Sequence, residues 1–170
     1  MKKAITAFLC LLFLFSGCSS QTPETKLADA IDYTYRNVLD PYDEGWLDRL
    51  ELERISERFS IDASLYSEAA VYASDRTSRC TVLAGFCAAE GKTEELSKAL
   101  QTVIENSIDA FTGYLPDQYL IAKNAEIKQY GNYIILVMTD QNEKVIKALE
   151  DCFSSEAAES SVPESESDIT

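Results

Sequence analysis

The residue of this sequence with the clearest chemistry is Cys18, because the residues before it have the layout of an export signal. A pair of lysines follows Met1, residues 4–15 form an apolar run, and Ser16-Gly17 leads directly into the cysteine. The small pair allows a signal peptidase to approach, and the thiol of the new N-terminal cysteine would carry a lipid. We therefore predict a lipoprotein signal peptide over residues 1–17, with lipid attachment at Cys18.

The length of the apolar run distinguishes an export signal from a membrane span. Residues 4–15 are well short of the roughly 20 apolar residues that a helix needs to cross a bilayer. Phe15 stands where leucine, valine or isoleucine is usual, although Leu14 is adjacent. We expect a mature protein held by lipid on the extracytoplasmic face of the cell membrane. Residues 18–24 would form the lipidated cysteine and a short linker.

The charge of the chain restricts its partners. The sequence has 29 acidic and 15 basic residues, and two of the basic residues, Lys2 and Lys3, would leave with the signal. A surface this acidic repels nucleic acid and anionic headgroups. We therefore expect no nucleic-acid partner, membrane attachment through the lipid on Cys18, and a protein or cell-envelope partner. An acidic surface that simply keeps an exported domain soluble is the alternative.

The sequence contains no recognisable catalytic motif. It has no histidine, which excludes Ser-His-Asp and Cys-His catalysis and histidine-based zinc sites. It also lacks a glycine-rich phosphate loop, a Gly-x-Ser-x-Gly elbow, a Cys-x-x-Cys pair and a calcium loop. We predict no catalytic residues, no metal and no cofactor, which favours an accessory or binding module. The alternative is a small envelope enzyme that uses carboxylates or a thiol.

Three cysteines besides Cys18 remain after the signal is removed: Cys80, Cys87 and Cys152. On one straight strand Cys80 and Cys87 would lie about 23 Å apart, so these two cannot pair. If the strands of Cys87 and Tyr133 are antiparallel neighbours, Cys87 is the nearer partner for Cys152. From the sequence alone, a disulfide and buried thiols are both open.

The first part of the domain is predicted to be helical. Thr22-Pro23 matches a helix start, and Asp40-Pro41 ends the helix. Between them, apolar residues recur at helical spacing. The recurring residues are Leu27, Ile31, Tyr35 and Val38. A second apolar stripe, beginning with Trp46, Leu47 and Leu50, predicts one or two short helices within residues 43–59.

The order strand, strand, helix is then predicted twice. Residues 68–74 and 80–87 are the first strand pair, the second of them apolar enough to be buried on both faces, and Thr93 begins a long helix. The second strand pair flanks Gly131-Asn132, which is typical of a tight hairpin, and Asp140 is predicted to cap a last helix.

The predicted fold class is therefore α+β. N-terminal helices precede a mostly antiparallel four-stranded sheet with helices on one face, within a single domain of residues 25–153. Residues 154–170 contain serine, acidic residues and no basic residue, and nothing in them can form a core. We predict that they are a disordered tail.

Four tyrosines surround the predicted hairpin and the loop at Pro116: Tyr114, Tyr119, Tyr130 and Tyr133. Tyrosine combines apolar area with a polar hydroxyl, which suits a protein-binding surface. These residues are therefore predicted to form a partner surface. Tyrosines that merely support the hairpin are the alternative.

Several short stretches resemble a known protein family. They are Tyr114-Leu115-Pro116-Asp117-Gln118-Tyr119, Lys123-Asn124 and Gly131-Asn132-Tyr133. On these stretches, residues 71–153 resemble small lipoproteins of Gram-positive bacteria known as domain of unknown function 4358. The resemblance implies an envelope location and the fold described above, and it implies no activity. Val82 stands where the family pattern has a glutamate, so any chemistry of that glutamate is lost here.

Overall fold

The computed structural model describes residues 27–40 and 47–159, with side chains as far as residue 154. The helices are α1 (Leu27–Thr34), α2 (Leu52–Phe59), α3 (Thr93–Phe111), α4 (Pro116–Lys123) and α5 (Asn142–Glu159). The strands are β1 (Leu47–Arg49), β2 (Tyr66–Ser74), β3 (Val82–Ala88), β4 (Glu126–Tyr130) and β5 (Tyr133–Met138). A π-helical turn, Tyr35–Leu39, continues α1, and a short 3-10 helix, Ala63–Leu65, precedes β2.

The five strands form one antiparallel sheet in the order β1-β2-β3-β5-β4. β3 and β5 pair at its centre, from Val82 opposite Met138 to Cys87 opposite Tyr133. The predicted α+β class and the antiparallel sheet are confirmed, and so is the repeated order strand, strand, helix. The predicted number of four strands is wrong, because β1 adds a fifth.

Strand β1 forms where the sequence predicted a helix. Leu47 and Leu50 have helical spacing, but Leu47 lies opposite Ser74, and the Leu50 amide donates to the Val71 carbonyl at 2.9 Å. The open edge of β2 supplies these hydrogen bonds, whereas an isolated helix this short is marginal. The next two residues of β1 are charged and exposed, which discourages pairing with a further strand.

The sheet is covered by helices on both faces, so the prediction of helices on one face is wrong. We name the side covered by α2, α3 and α4 the α3 face, and the side covered by α1 and α5 the α5 face. Along β3, Ala84 and Phe86 belong to the α3 face and Leu83 to the α5 face, and every residue of β5 is buried. Strands that are apolar on both faces need cover on both.

The fold needs glycine at two positions, one where a helix packs closely on the sheet and one in a hairpin turn. A Cβ atom at Gly85 would lie 2.8 Å from Ile31 Cγ1 and 2.9 Å from Leu27 Cδ1, so the absent side chain lets α1 approach β3. Gly131 has a φ of 58°, as the first position of a tight hairpin turn requires. The hairpin predicted at Gly131-Asn132 is therefore confirmed.

The ends of the chain lie partly outside the described residues. The predicted signal peptide of residues 1–17, Cys18 and the rest of the linker to residue 24 all do. Helix α5 continues to Glu159, so residues 154–159 are helical although they were predicted to begin a disordered tail. Residues 160–170 lie outside the described part of the chain.

Candidate functional site

A cleft of about 960 Å³ opens at the end of the sheet where β3 begins and β5 ends. We name it the end cleft. Its charged lining residues are Arg79, Asp117, Glu126, Asp140, Glu143 and Lys144. Its amide-bearing lining residues are Gln118, Asn124, Gln141 and Asn142. The cleft therefore offers cationic donors, carboxylate acceptors and neutral amides within one space of the size that ligands occupy.

Helix α4 forms one wall of the end cleft. Leu115 is extended, with φ −127° and ψ 91°, and Pro116 occupies the first turn of the helix. This is the favoured arrangement, because proline disfavours helical backbone in the residue before it but fits a helix start. This helix places Asp117 and Gln118 on the cleft wall.

Gln118 is held in place by Cys80. The Cys80 amide donates to Gln118 Oε1 at 3.0 Å, and the Cys80 thiol donates to the Gln118 carbonyl at 3.2 Å. Burial raises the pKa of the Cys80 thiol to about 11, so the thiol keeps its proton at neutral pH. Since the thiolate is the nucleophilic form of cysteine, Cys80 is a structural donor at this site.

A second wall of the end cleft is the connection between β5 and α5. Asn142 Oδ1 accepts hydrogen bonds from the Thr139 amide at 2.8 Å and from the Thr139 hydroxyl at 3.0 Å. Asn142 Nδ2 donates to the Asn124 carbonyl at 2.7 Å, and Thr139 Oγ1 accepts from the Gln141 amide at 3.0 Å. The helix cap predicted at Asp140 is therefore wrong. Thr139 and Asn142 organise the turn and tie it to the end of α4.

The four predicted partner-surface tyrosines are not brought together. Tyr114 is 72% exposed, whereas Tyr119 packs partly against the core of the α3 face. Tyr130 and Tyr133 lie on the α5 face, with ring centroids 4.6 Å and 5.6 Å from that of Phe153. Tyr133 is buried there. The hairpin pair thus packs α5 onto the sheet, and only Tyr114 of the four is exposed rather than partly or fully buried.

The three cysteines of the described residues divide between the two faces. Cys80 belongs to the core of the α3 face, and Cys87 and Cys152 pack against the core of the α5 face. No disulfide joins any two of these three cysteines. The sequence argument that Cys87 is nearer than Cys80 to Cys152 agrees with this division.

Among the described residues, no group of three or more histidine, cysteine, aspartate or glutamate side chains is arranged to hold a metal ion. None of the helices in residues 27–40 and 47–159 has the length and apolar character to cross a membrane.

The fold is that of a small α+β protein with a polar cleft at the end of an antiparallel sheet. The chain belongs to the family described as Domain of unknown function (DUF4358), whose profile matches residues 41–139, more than half of the sequence. The family named from the sequence is therefore confirmed, and its match covers residues 41–139, whereas the resemblance covered residues 71–153. Comparisons with curated proteins and with solved structures gave no match.

Proposed function

We propose that this protein is a lipid-anchored binding module on the extracytoplasmic face of the cell membrane, and that its end cleft holds a polar segment of a protein or envelope partner. One observation carries the binding part of the proposal. Asp117, Gln118 and Asn124 belong to the stretches that resemble the family, and all three line the end cleft. Two of the three stretches therefore contribute to this site, both through α4 and its C-terminal end.

The walls of the end cleft are rigid enough for selective binding. Cys80 holds Gln118 from β3's side, and Asn142 joins the β5–α5 connection to the end of α4. Polar groups that are already positioned lose little conformational entropy when a ligand binds. Because the cleft presents carboxylates, two basic side chains and several amides, a peptide-like segment with both donors and acceptors fits its chemistry.

The anchoring part of the proposal rests on the signal and cysteine at the start of the sequence. The segment between Cys18 and the start of α1 at Leu27 is short. Fully extended, it would reach about 30 Å. The domain would therefore work close to the membrane, while its acidic surface keeps it from lying flat on anionic headgroups.

The anchor is tested by labelling with a fatty acid. Cys18→Ser should abolish incorporation of the label and leave unprocessed precursor, because a hydroxyl is not the lipid acceptor. Cys152→Ser is the matched control and should keep the label. Equal labelling of the two variants would contradict the anchor.

The cleft is tested by crosslinking in intact cells. A photo-reactive residue at Asp117, on the cleft wall, should give a discrete crosslinked species. The same residue at Glu105, an exposed acid on α3 outside the cleft, should not. Identical crosslinks from both positions would show that the end cleft is not the binding site.

A further inference from the structure

A second cleft, of about 390 Å³, lies between α2, the turn from β2 to β3, and α3. Three of the six arginines in the sequence line it, namely Arg58, Arg76 and Arg79, and Asp75 is the acidic residue among its described lining residues. We name it the arginine cleft. The whole chain carries a net charge of −14, so this cleft is a local reversal of charge.

The backbone around the arginine cleft is held by hydrogen bonds. The Arg76 amide donates to Ser74 Oγ at 3.2 Å, and the Arg79 amide donates to the Arg76 carbonyl at 3.1 Å. Arg58 Nη2 donates to the Ser74 carbonyl at the end of β2. A guanidinium has five N–H donors, so this bond anchors Arg58 and uses only part of its capacity.

The positive charges in this region oppose one another. Arg54 and Arg58 are four residues apart on α2, which places like charges on neighbouring turns of one helix face. Burial and the charge of Arg54 lower the pKa of Arg58, and Asp75 compensates only in part. A bound anion would relieve this repulsion and favour the charged form of Arg58.

We propose that the arginine cleft is a binding site for a phosphate group. Arginine forks match phosphate oxygens in a bidentate manner, and the hydroxyl-bearing residues Ser60, Thr77 and Ser107 also line the cleft. The phosphate belongs either to a small soluble phosphate compound or to a lipid headgroup. This proposal does not depend on the proposed role of the end cleft, although Arg79 lines both.

The test is a titration followed by the backbone amide signals of Arg76, Arg79 and Cys80 in an NMR spectrum, at constant ionic strength. Inorganic phosphate, glycerol phosphate and vesicles containing phosphatidylglycerol are the three probes. Saturable binding of a soluble probe identifies a soluble source, and binding of the vesicles alone identifies a headgroup. Arg58→Gln and Arg79→Gln should each weaken the binding about tenfold, the scale of one lost charge-assisted hydrogen bond.

Two further variants keep the outcome decisive. Lys98→Gln removes a positive charge from α3 outside the cleft and should leave the affinity unchanged. Arg79→Lys keeps the charge but loses the fork, and its affinity should fall between those of the wild type and Arg79→Gln. The proposal is overturned if no probe shifts the three amides saturably, or if Lys98→Gln weakens binding as much as Arg58→Gln.

Discussion

The two faces of the sheet are covered by different parts of the chain. The α3 face is covered by α2, α3 and α4, all of which lie within the family match over residues 41–139. The α5 face is covered by α1 and α5, which lie before and after that match. The apolar lining of the arginine cleft, such as Val82 and Phe111, also belongs to the α3 face.

This difference shows that the matched segment is not self-sufficient. Without α1 and α5, the residues of β3 and β5 that face them, Leu83, Ile135 and Val137, would be exposed. Apolar surface of that kind is costly in water. The residues outside the match therefore complete the core. They also contribute Leu39 and residues 140–144 to the lining of the end cleft, whereas the described lining of the arginine cleft lies inside the match.

The order strand, strand, helix is repeated, but the position of the helix relative to the sheet is not. A twofold rotation normal to the sheet would exchange β3 with β5 and β2 with β4, and it would place α3 and α5 on the same face. They lie on opposite faces. The two units thus share their order of elements and not their three-dimensional structure.

The largest expected effect comes from removing the cover of the α5 face. Deleting residues 140–170 removes Val145, Leu149 and Phe153, each of which is buried and stabilises the fold by about 1.5–3 kcal/mol. Because domains have only about 5–15 kcal/mol of stability, we expect no cooperative unfolding transition by circular dichroism. Deleting residues 160–170 alone should change the free energy of unfolding by less than about 1 kcal/mol. A cooperative transition in the longer deletion would contradict the conclusion that residues outside the family match complete the core.

The next prediction compares two leucines that are buried to the same extent, one on each face of the sheet. Leu100 is 1% exposed on the α3 face and Leu149 is 0% exposed on the α5 face. Each change to alanine should lower the free energy of unfolding by about 2–5 kcal/mol, the range for buried leucine. Chemical denaturation of both variants measures this. A cost below about 1 kcal/mol for Leu149→Ala alone would mean that α5 covers the sheet only loosely.

A smaller effect concerns pH and the thiol on the α3 face. The pKa of Cys80 rises from 9.0 to about 11 in the folded state, so the folded protein holds this proton more tightly than the unfolded chain. The resulting stabilisation is complete below pH 9 and is lost as the pH rises towards 11, by about 2–3 kcal/mol. Denaturation curves across this range should show the loss in the wild type and in Cys87→Ala. The stability of Cys80→Ala should depend less on pH. An unchanged pH dependence in that variant would refute the raised pKa of Cys80 as its cause.

The smallest effect concerns the contact of α1 with β3. Gly85→Ala would place a methyl group against Ile31 and Leu27 and should cost about 1–3 kcal/mol through overpacking. Ile31→Val removes Ile31 Cδ1, which would lie 2.9 Å from the new methyl group, so it should be less destabilising in the Gly85→Ala background than in the wild type. A double-mutant cycle measures this coupling. Simple additivity would contradict a clash between the new methyl group and Ile31.

Much of the fold is determined by local sequence. The strands β2, β3, β4 and β5, the helix α3 and the turn at Gly131 were all predicted, because each has its own apolar period or turn residues. Strand β1 was missed because three residues carry too little local signal, and its pairing with β2 decides its conformation. The apolar run of β3 already required cover on two faces, and that requirement was the signal for helices on both.

The candidate sites depend on tertiary structure to a greater extent. Gln118 and Cys80 are far apart in the chain and meet only because α4 packs beside the start of β3, and Asn124 meets Asn142 in the same way. Arg58 joins Arg76 and Arg79 only when α2 packs against the β2–β3 turn. The sequence by itself determined most of the elements and the acidic charge, and it predicts the lipid site at Cys18. Which polar side chains share a cleft was decided by packing, since the order of strands and the face that each helix covers depend on contacts between distant segments.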